Sequence, residues 1–325
     1  MRLMFKTLAA ATLAAGAVSV QAQAIKWDFP TGYSPSSFQT QNVEQFAKDV
    51  ERLTNGRLVM TVHSGASLYR ANQIKRAVQS GEAQIGEFIL SQHSNENPIF
   101  GLDSVPFLAD SYAEAKRLSD VSRPALEKLL ASQGMRLLFV SPWPGQSLYS
   151  KRPISSAADL KGTKMRTFNP ATQQIATHFG AQPVQIQLAE LNQAVATGIV
   201  DNFLTSSASG VETKLYESIK HFYTVNAWLP RNAIAVNEKA FSSLDKAIQD
   251  AVLRAARDAE ARGWKISEEK NNEYLKELSA KGMTVAAPPA ALSKDLKALG
   301  DIMLQDWIKA AGADGKAIID AYLKK

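Results

Sequence analysis

Hydrophobic positions along this chain follow two rhythms. Short runs alternate with period two, and longer stretches between them repeat with a period near 3.6. Residues 25–33 (IKWDFPTGY) alternate and break at Pro30 and Gly32, which reads as a strand ending in a loop. Residues 36–53 put Phe38, Val43, Phe46, Val50 and Leu53 on one helical face and stop at Thr54-Asn55-Gly56. Strands at 58–63 and 83–89 flank a helix at 72–81. That order of strand, helix, strand, helix, strand predicts an α/β sheet built from crossover units. A helix at 111–133 ends at Gly134, and a strand at 135–141 runs into Trp143-Pro144-Gly145, a first passage between two lobes. Beyond it come strands at 147–150, 181–186 and 199–204, with a helix at 188–197. A further helix opens at Ser209 or Gly210 and runs to about residue 219. Residues 222–229 read as a strand entering Pro230 and continuing at 232–237, where a second passage lies. Ser242-x-x-Asp245 reads as a capping box. From 244 to 278 the helical pattern persists without proline, interrupted only by Gly263, as expected of a spine lying across both lobes. Residues 293–311 and 315–323 read as closing helices.

The densest information lies in 156–210. Ser156-x-x-Asp159 is a capping box opening a single turn that stops at Gly162. TKMRTF, at 163–168, reads as a short strand with Arg166 in its second half. Asn169-Pro170 follows, an N-cap residue with proline at the first helical position. A guanidinium therefore stands near a helix N-terminus, and both favour a small anion, most naturally a carboxylate. The alternative is a surface arginine paired with a neighbouring acid.

Composition narrows the class. Arg2 and Lys6 precede an apolar, alanine-rich segment at 8–20 and an A-x-A site at Ala22-Gln23-Ala24, the pattern of a secretory signal peptide over residues 1–24. Removing it takes the net charge from +6 to +4, and no run of five basic residues occurs, so nucleic acid is not an expected partner. With no cysteine, thiol catalysis, thiolate zinc sites, iron–sulfur clusters and disulfides are excluded. His63, His93, His178 and His221 show no metal-ligand spacing, and no nucleophile-elbow, Walker or dinucleotide motif is present. No cofactor or metal is expected, and binding is favoured over catalysis.

Two lobes with two crossings imply a cleft for a small ligand. Glu87 and Phe88 lie at the carboxyl end of a strand, where ligands collect in open α/β sheets. Glu87 could act as a general base or accept a hydrogen bond from a ligand. Each crossing carries a tryptophan close to a proline, Trp143-Pro144 and Trp228-x-Pro230. Their rings either pack the hinge or face the ligand, and Phe88 and Phe203 pose the same choice between core and cleft.

At these residues the chain resembles the solute-binding proteins of tripartite ATP-independent periplasmic (TRAP) transporters, of the DctP type. The likeness is carried by FAKDVERLTNGRLVMTVHSGASL, GEAQIGE and VPFLAD, then by KRPISSAADLKGTKMRT, QIQLAELNQAVATGIVD and VNEKAFSSL, with DLKGxKxR the most specific. It implies an α/β, two-lobed type II periplasmic binding protein fold with a long helix spanning both lobes. Lobe I would comprise 25–143 with 233–272 returning to it, and lobe II 144–232 with 273–325 completing it. It also implies a periplasmic monomer that closes on an organic acid and delivers it to a membrane permease. A ligand-presenting sensor subunit is the other functional class.

The family's carboxylate-binding arginine falls on Arg166. Gln146 stands where many members carry a second arginine, and VDNFLTS replaces VDGQENP, putting Thr205 at an asparagine position. With Phe203 and Leu204 near the cleft and the hydroxyls of Thr205 and Ser206 remaining, the expected ligand is an aromatic or hydrophobic monocarboxylate, contacted by Tyr33, Phe88 and Trp143. The alternative is a hydroxy acid or sugar acid bonded by Glu87, Gln146 and Asn232.

Overall fold

The computed structural model describes residues 23–324, so the expected signal peptide lies almost wholly outside the described residues. The chain begins with β1 (Ile25–Pro30), α1 (Phe38–Leu53), β2 (Leu58–His63), α2 (Ile74–Ser80) and β3 (Ile85–Ile89). After a 3₁₀ stretch at Pro98–Ser104 come α3 (Tyr112–Ser132) and β4 (Met135–Pro142). The chain then crosses into β5 (Ser147–Ser150), β6 (Lys164–Thr167), α4 (Pro170–His178), β7 (Gln182–Gln185), α5 (Leu188–Ala196), β8 (Asn202–Thr205), α6 (Ser207–Glu212) and β9 (His221–Tyr223). It returns through β10 (Arg231–Asn237) and α7 (Glu238–Ser242). It closes with α8 (Lys246–Ala280), β11 (Thr284–Ala286) and α9 (Ala290–Leu323).

The strands form two sheets with the same plan. In the first, β1 and β2 are parallel, a bridge between Thr31 and Glu87 joins β1 to β3, and β10 lies between β3 and β4. In the second the order is β11-β9-β5-β8-β6-β7. The sheets contain the expected crossover units but are mixed in direction. Each contains one strand, β10 or β5, antiparallel to both neighbours. In each case it is the strand the chain enters just after crossing from the other lobe, which fixes its reversed direction.

The crossings lie side by side as a hydrogen-bonded pair. Trp143 N–H donates to Pro230 O at 2.8 Å, Gln146 N–H to Trp228 O at 2.8 Å, and Ala227 N–H to Gln146 O at 2.8 Å. The strand expected over 222–229 therefore ends at Tyr223: Asn226 turns into the left-handed region (φ 49°), and Pro230 has no N–H to offer a ladder. Residues 224–230 form the second strap of the hinge.

Helix α8 is the expected spine. It packs on α1 and β4 of the first lobe and on α6 and β11 of the second. Its N-cap is Asp245, whose carboxylate accepts the Ile248 N–H at 2.9 Å. Ser242 ends α7 instead of opening a box with Asp245. Gly312 (φ 62°) breaks α9. The segment beyond the break brings Ile318, Ile319 and Tyr322 onto Leu102 and Leu118 of the first lobe, so the C-terminus does not serve the second lobe alone. The first lobe's sheet is covered by two apolar clusters, one under α1 and α8 and one under α2 and α3. The second lobe's sheet is likewise packed on both faces.

Candidate functional site

Arg166 leaves the carboxyl end of β6, between the parallel strands β7 and β8. Asn169 caps α4 just beyond it, accepting the Thr172 N–H at 2.9 Å, with Pro170 at the first helical position. The Arg166 side chain is buried, 3% exposed. Its Nε donates to Ile186 O at 2.9 Å, and its guanidinium carbon lies 4.6 Å from the centre of the Phe168 ring. Among the described residues no carboxylate lies within ion-pair distance of it, and Nε is the only one of its nitrogens bonded within the chain. Burial pushes the guanidinium down to about 9, still protonated at neutral pH.

The other buried arginine of the hinge region provides the contrast. Arg231 is also 3% exposed, but its Nε donates to Asp103 Oδ2 at 3.1 Å and its N–H to the same oxygen at 2.9 Å. Among the described residues, one buried arginine has a counter-ion and the other has none. An unpaired charge inside a protein is costly, and an anion in the adjoining cavity would offset that cost.

Across from Arg166 stands a hydrogen-bonded wall of the first lobe. Glu87, on β3, is 1% exposed and accepts from Thr31 Oγ1 at 2.6 Å and from Asn232 Nδ2 at 2.8 Å. Burial raises its carboxyl to about 7, against the lowering effect of those two donors. Asn232 Oδ1 in turn accepts from the Tyr33 hydroxyl at 2.9 Å and from Trp143 Nε1 at 3.0 Å. Burial and the nearby Glu87 carboxylate push the Tyr33 phenol well above its ordinary range, so it stays a donor.

Between these walls lies a cavity of about 400 Å³. Of the residues expected from sequence, it is lined by Arg166, Gln146, Thr205, Glu87, Phe88, Trp143 and Tyr33. The lobes meet around it. Gln92 Nε2 donates to Gln187 Oε1 at 3.2 Å, and Asn169 Nδ2 to Ser91 Oγ at 3.0 Å. Phe38 N–H donates to Glu212 Oε1 at 3.2 Å.

Four expected residues do not reach the cavity. Phe203 is fully buried in the second lobe, its ring stacked on Tyr149 with centroids 5.0 Å apart, and Leu204 lies in the opposite core. Ser206 is the N-cap of α6, accepting the Ser209 N–H at 3.1 Å, so that helix starts before the expected Ser209 or Gly210. Asn232 sits behind the wall and orients Glu87. Trp143 lines the cavity, but its indole N–H is bonded to Asn232 and its ring is held edge-on by Tyr33 and Phe38, at 4.9 and 5.4 Å. Of the aromatic residues expected near the ligand, Tyr33, Phe88 and Trp143 line the cavity and Phe203 does not. Sequence reasoning missed Phe168, Asn72, Gln92, Gln185 and Gln187, which also line the cavity. Phe168 and Gln187 had a usable signal, since each lies just past the carboxyl end of a strand.

Residues 29–310 match the bacterial extracellular solute-binding protein family 7, the DctP family. The chain belongs to this family. It is a TRAP-type solute receptor with the two-lobed fold, and receptors of this kind hold small organic acids and work with membrane permeases. A solved extracytoplasmic solute receptor of Bordetella pertussis, DctP6, which binds pyroglutamic acid, is 50% identical. That match covers 93% of this chain and all of the other, with a TM-score of 0.91. A marine metagenome TRAP receptor specific for pyroglutamate is 41% identical over the same shares, with a TM-score of 0.92. The 2,3-diketo-L-gulonate-binding periplasmic protein YiaO of Escherichia coli is 25% identical, covering 88% of this receptor and 86% of its own length. None of these likenesses supports the expected preference for an aromatic acid.

Proposed function

We propose that this receptor captures pyroglutamate, a small cyclic carboxylate with a lactam ring, in the inter-lobe cavity. It then presents the acid to the permease of a TRAP transporter on the periplasmic side of the membrane. The observation that carries the reading is the buried, unpaired guanidinium of Arg166 facing a cavity of about 400 Å³. The ligand's carboxylate supplies the missing counter-ion, and a bidentate pair fixes its orientation. Phe88 and Phe168 offer apolar contact to the ring methylenes, while Glu87 faces the polar edge. The relatives of 40–50% identity that bind pyroglutamate agree in ligand size and charge.

A second reading, a sugar acid or hydroxy acid, is favoured by the amide groups of Asn72, Gln92, Gln146, Gln185 and Gln187 along the cavity, which suit hydroxyls. Thermal unfolding of the refolded, ligand-stripped protein against pyroglutamate, galactonate, glucuronate and benzoate separates the readings. A ligand that binds only the folded state stabilises it by about 2.7 kcal/mol at a hundredfold excess over Kd. Pyroglutamate is expected to raise the midpoint most. Stabilisation by the sugar acids alone overturns the pyroglutamate reading in favour of the second.

A further inference from the structure

We propose that Glu87 is a specificity-determining hydrogen-bond acceptor for the ring N–H of the ligand, held in that role by Asn232, Tyr33, Trp143 and Thr31. The assignment rests on the pyroglutamate reading and says which atom of that ligand is selected.

Asn232 has one amide oxygen and one NH₂ group, and the structure fixes which faces Glu87. Its Oδ1 faces the indole N–H of Trp143 at 3.0 Å, a group that can only donate, and accepts from the Tyr33 hydroxyl at 2.9 Å as well. Nδ2 must therefore point to Glu87 Oε1, where it is found at 2.8 Å. Thr31 Oγ1 donates to Oε2 at 2.6 Å. Each carboxylate oxygen has two lone-pair directions, and the chain uses one on each. No arginine or lysine of the described residues pairs with Glu87. Glu87 therefore offers the cavity unused acceptor capacity, with no ion pair to a cation among the described residues.

In pyroglutamate the lactam nitrogen is bonded to the carbon that carries the carboxylate. A ligand held by Arg166 on one wall thus has an N–H donor beside its anchored end, facing the other wall. The corresponding γ-lactone, 5-oxotetrahydrofuran-2-carboxylate, has the same ring size and charge but puts an oxygen where that N–H stands. Against Glu87 this sets acceptor on acceptor. A site built to bond a ligand N–H discriminates strongly against an analogue that lacks it.

Calorimetric titration of the wild-type receptor with pyroglutamate and with the lactone tests the assignment. Leaving a buried acceptor unpaired costs enough to weaken binding roughly five- to a hundred-and-fiftyfold, so the lactone is expected to bind weaker by that factor. In Glu87→Gln the side-chain amide offers a donor as well as an acceptor, and the preference should collapse until the two analogues bind alike. Equal wild-type binding of both compounds overturns the role of Glu87 while leaving the pyroglutamate reading intact. An unchanged preference in a folded Glu87→Gln protein also overturns it, placing the selection elsewhere. Wild-type binding of neither compound overturns the pyroglutamate reading, and the Glu87 assignment falls with it.

Discussion

The placement of Arg166 was legible from its immediate neighbours: a strand end followed by an Asn-Pro helix start. Those neighbours left an anion site and an acid-paired surface arginine equally open, and the family resemblance favoured the first. The lack of an internal partner for Arg166 was not legible, because that depends on every acid elsewhere in the chain. Phe203 was misplaced for a related reason. All four residues of β8 are buried, since its sheet is covered on both faces, so alternation along the strand cannot tell cleft from core. The sequence left Trp143 open between hinge and cleft. It lines the cavity and also anchors the hinge, through an indole bond to Asn232, which lies 89 positions away and so leaves no local signal. Removing one member of a buried ion pair costs about 2–5 kcal/mol, or roughly thirtyfold to several thousandfold in affinity. Arg166→Ala should lose pyroglutamate binding by that factor in a calorimetric titration. Arg166→Lys should not restore it, because a point charge cannot replace a planar fork. Glu87 predicts a pH dependence of stability. Its carboxyl is raised from the ordinary 4.5 to about 7 by burial. Between these values the folded state keeps a proton that the unfolded state has lost, so stability falls as pH rises through that window. Glu212, likewise raised to about 7 by burial, acts in the same direction. The melting temperature of the ligand-free protein should drop between about pH 4.5 and about pH 7, and drop less in Glu87→Gln. An identical slope in the variant would contradict the burial of this charge.

At the scale of elements, the helices and most strands followed from periodicity, while their ends depended on packing. Helix α6 shows why. Sequence places its start at Ser209 or Gly210, but Ser206 provides the cap and Gly210 lies inside the helix. Glycine is required there by close approach. A Cβ at Gly210 would run into the Tyr149 hydroxyl, which donates to Ser206 O at 2.9 Å. Gly210→Ala should therefore destabilise the protein by about 1–3 kcal/mol, the usual cost of overpacking, in urea unfolding. A neutral result would mean that the α6–β5 contact is looser than described. Asp245→Ala should cost about 1 kcal/mol through loss of the α8 cap. Ser242→Ala should be near neutral, which distinguishes the observed cap from the expected box. The reversed strands β5 and β10 could not be read from periodicity, since strand direction is set by where the chain re-enters each sheet.

The whole molecule consists of two sheets of the same plan, joined by two hydrogen-bonded straps and bridged by α8. Two lobes were legible from the paired Trp/Pro crossings, and the spine from the proline-free run before Leu278. The lobes contribute unlike chemistry to the cavity. Of the buried charged groups lining it, the second offers Arg166 and the first Glu87, while the exposed Arg70 and Glu190 stand at its margin. A ligand bridging both walls would favour the arrangement in which the lobes meet at Gln92–Gln187 and Asn169–Ser91. The most direct test is a crystal structure of the receptor with pyroglutamate. The carboxylate should lie about 3 Å from the Arg166 guanidinium nitrogens, with the lactam N–H directed at Glu87. A carboxylate held elsewhere, with Arg166 unpaired beside it, would contradict the account.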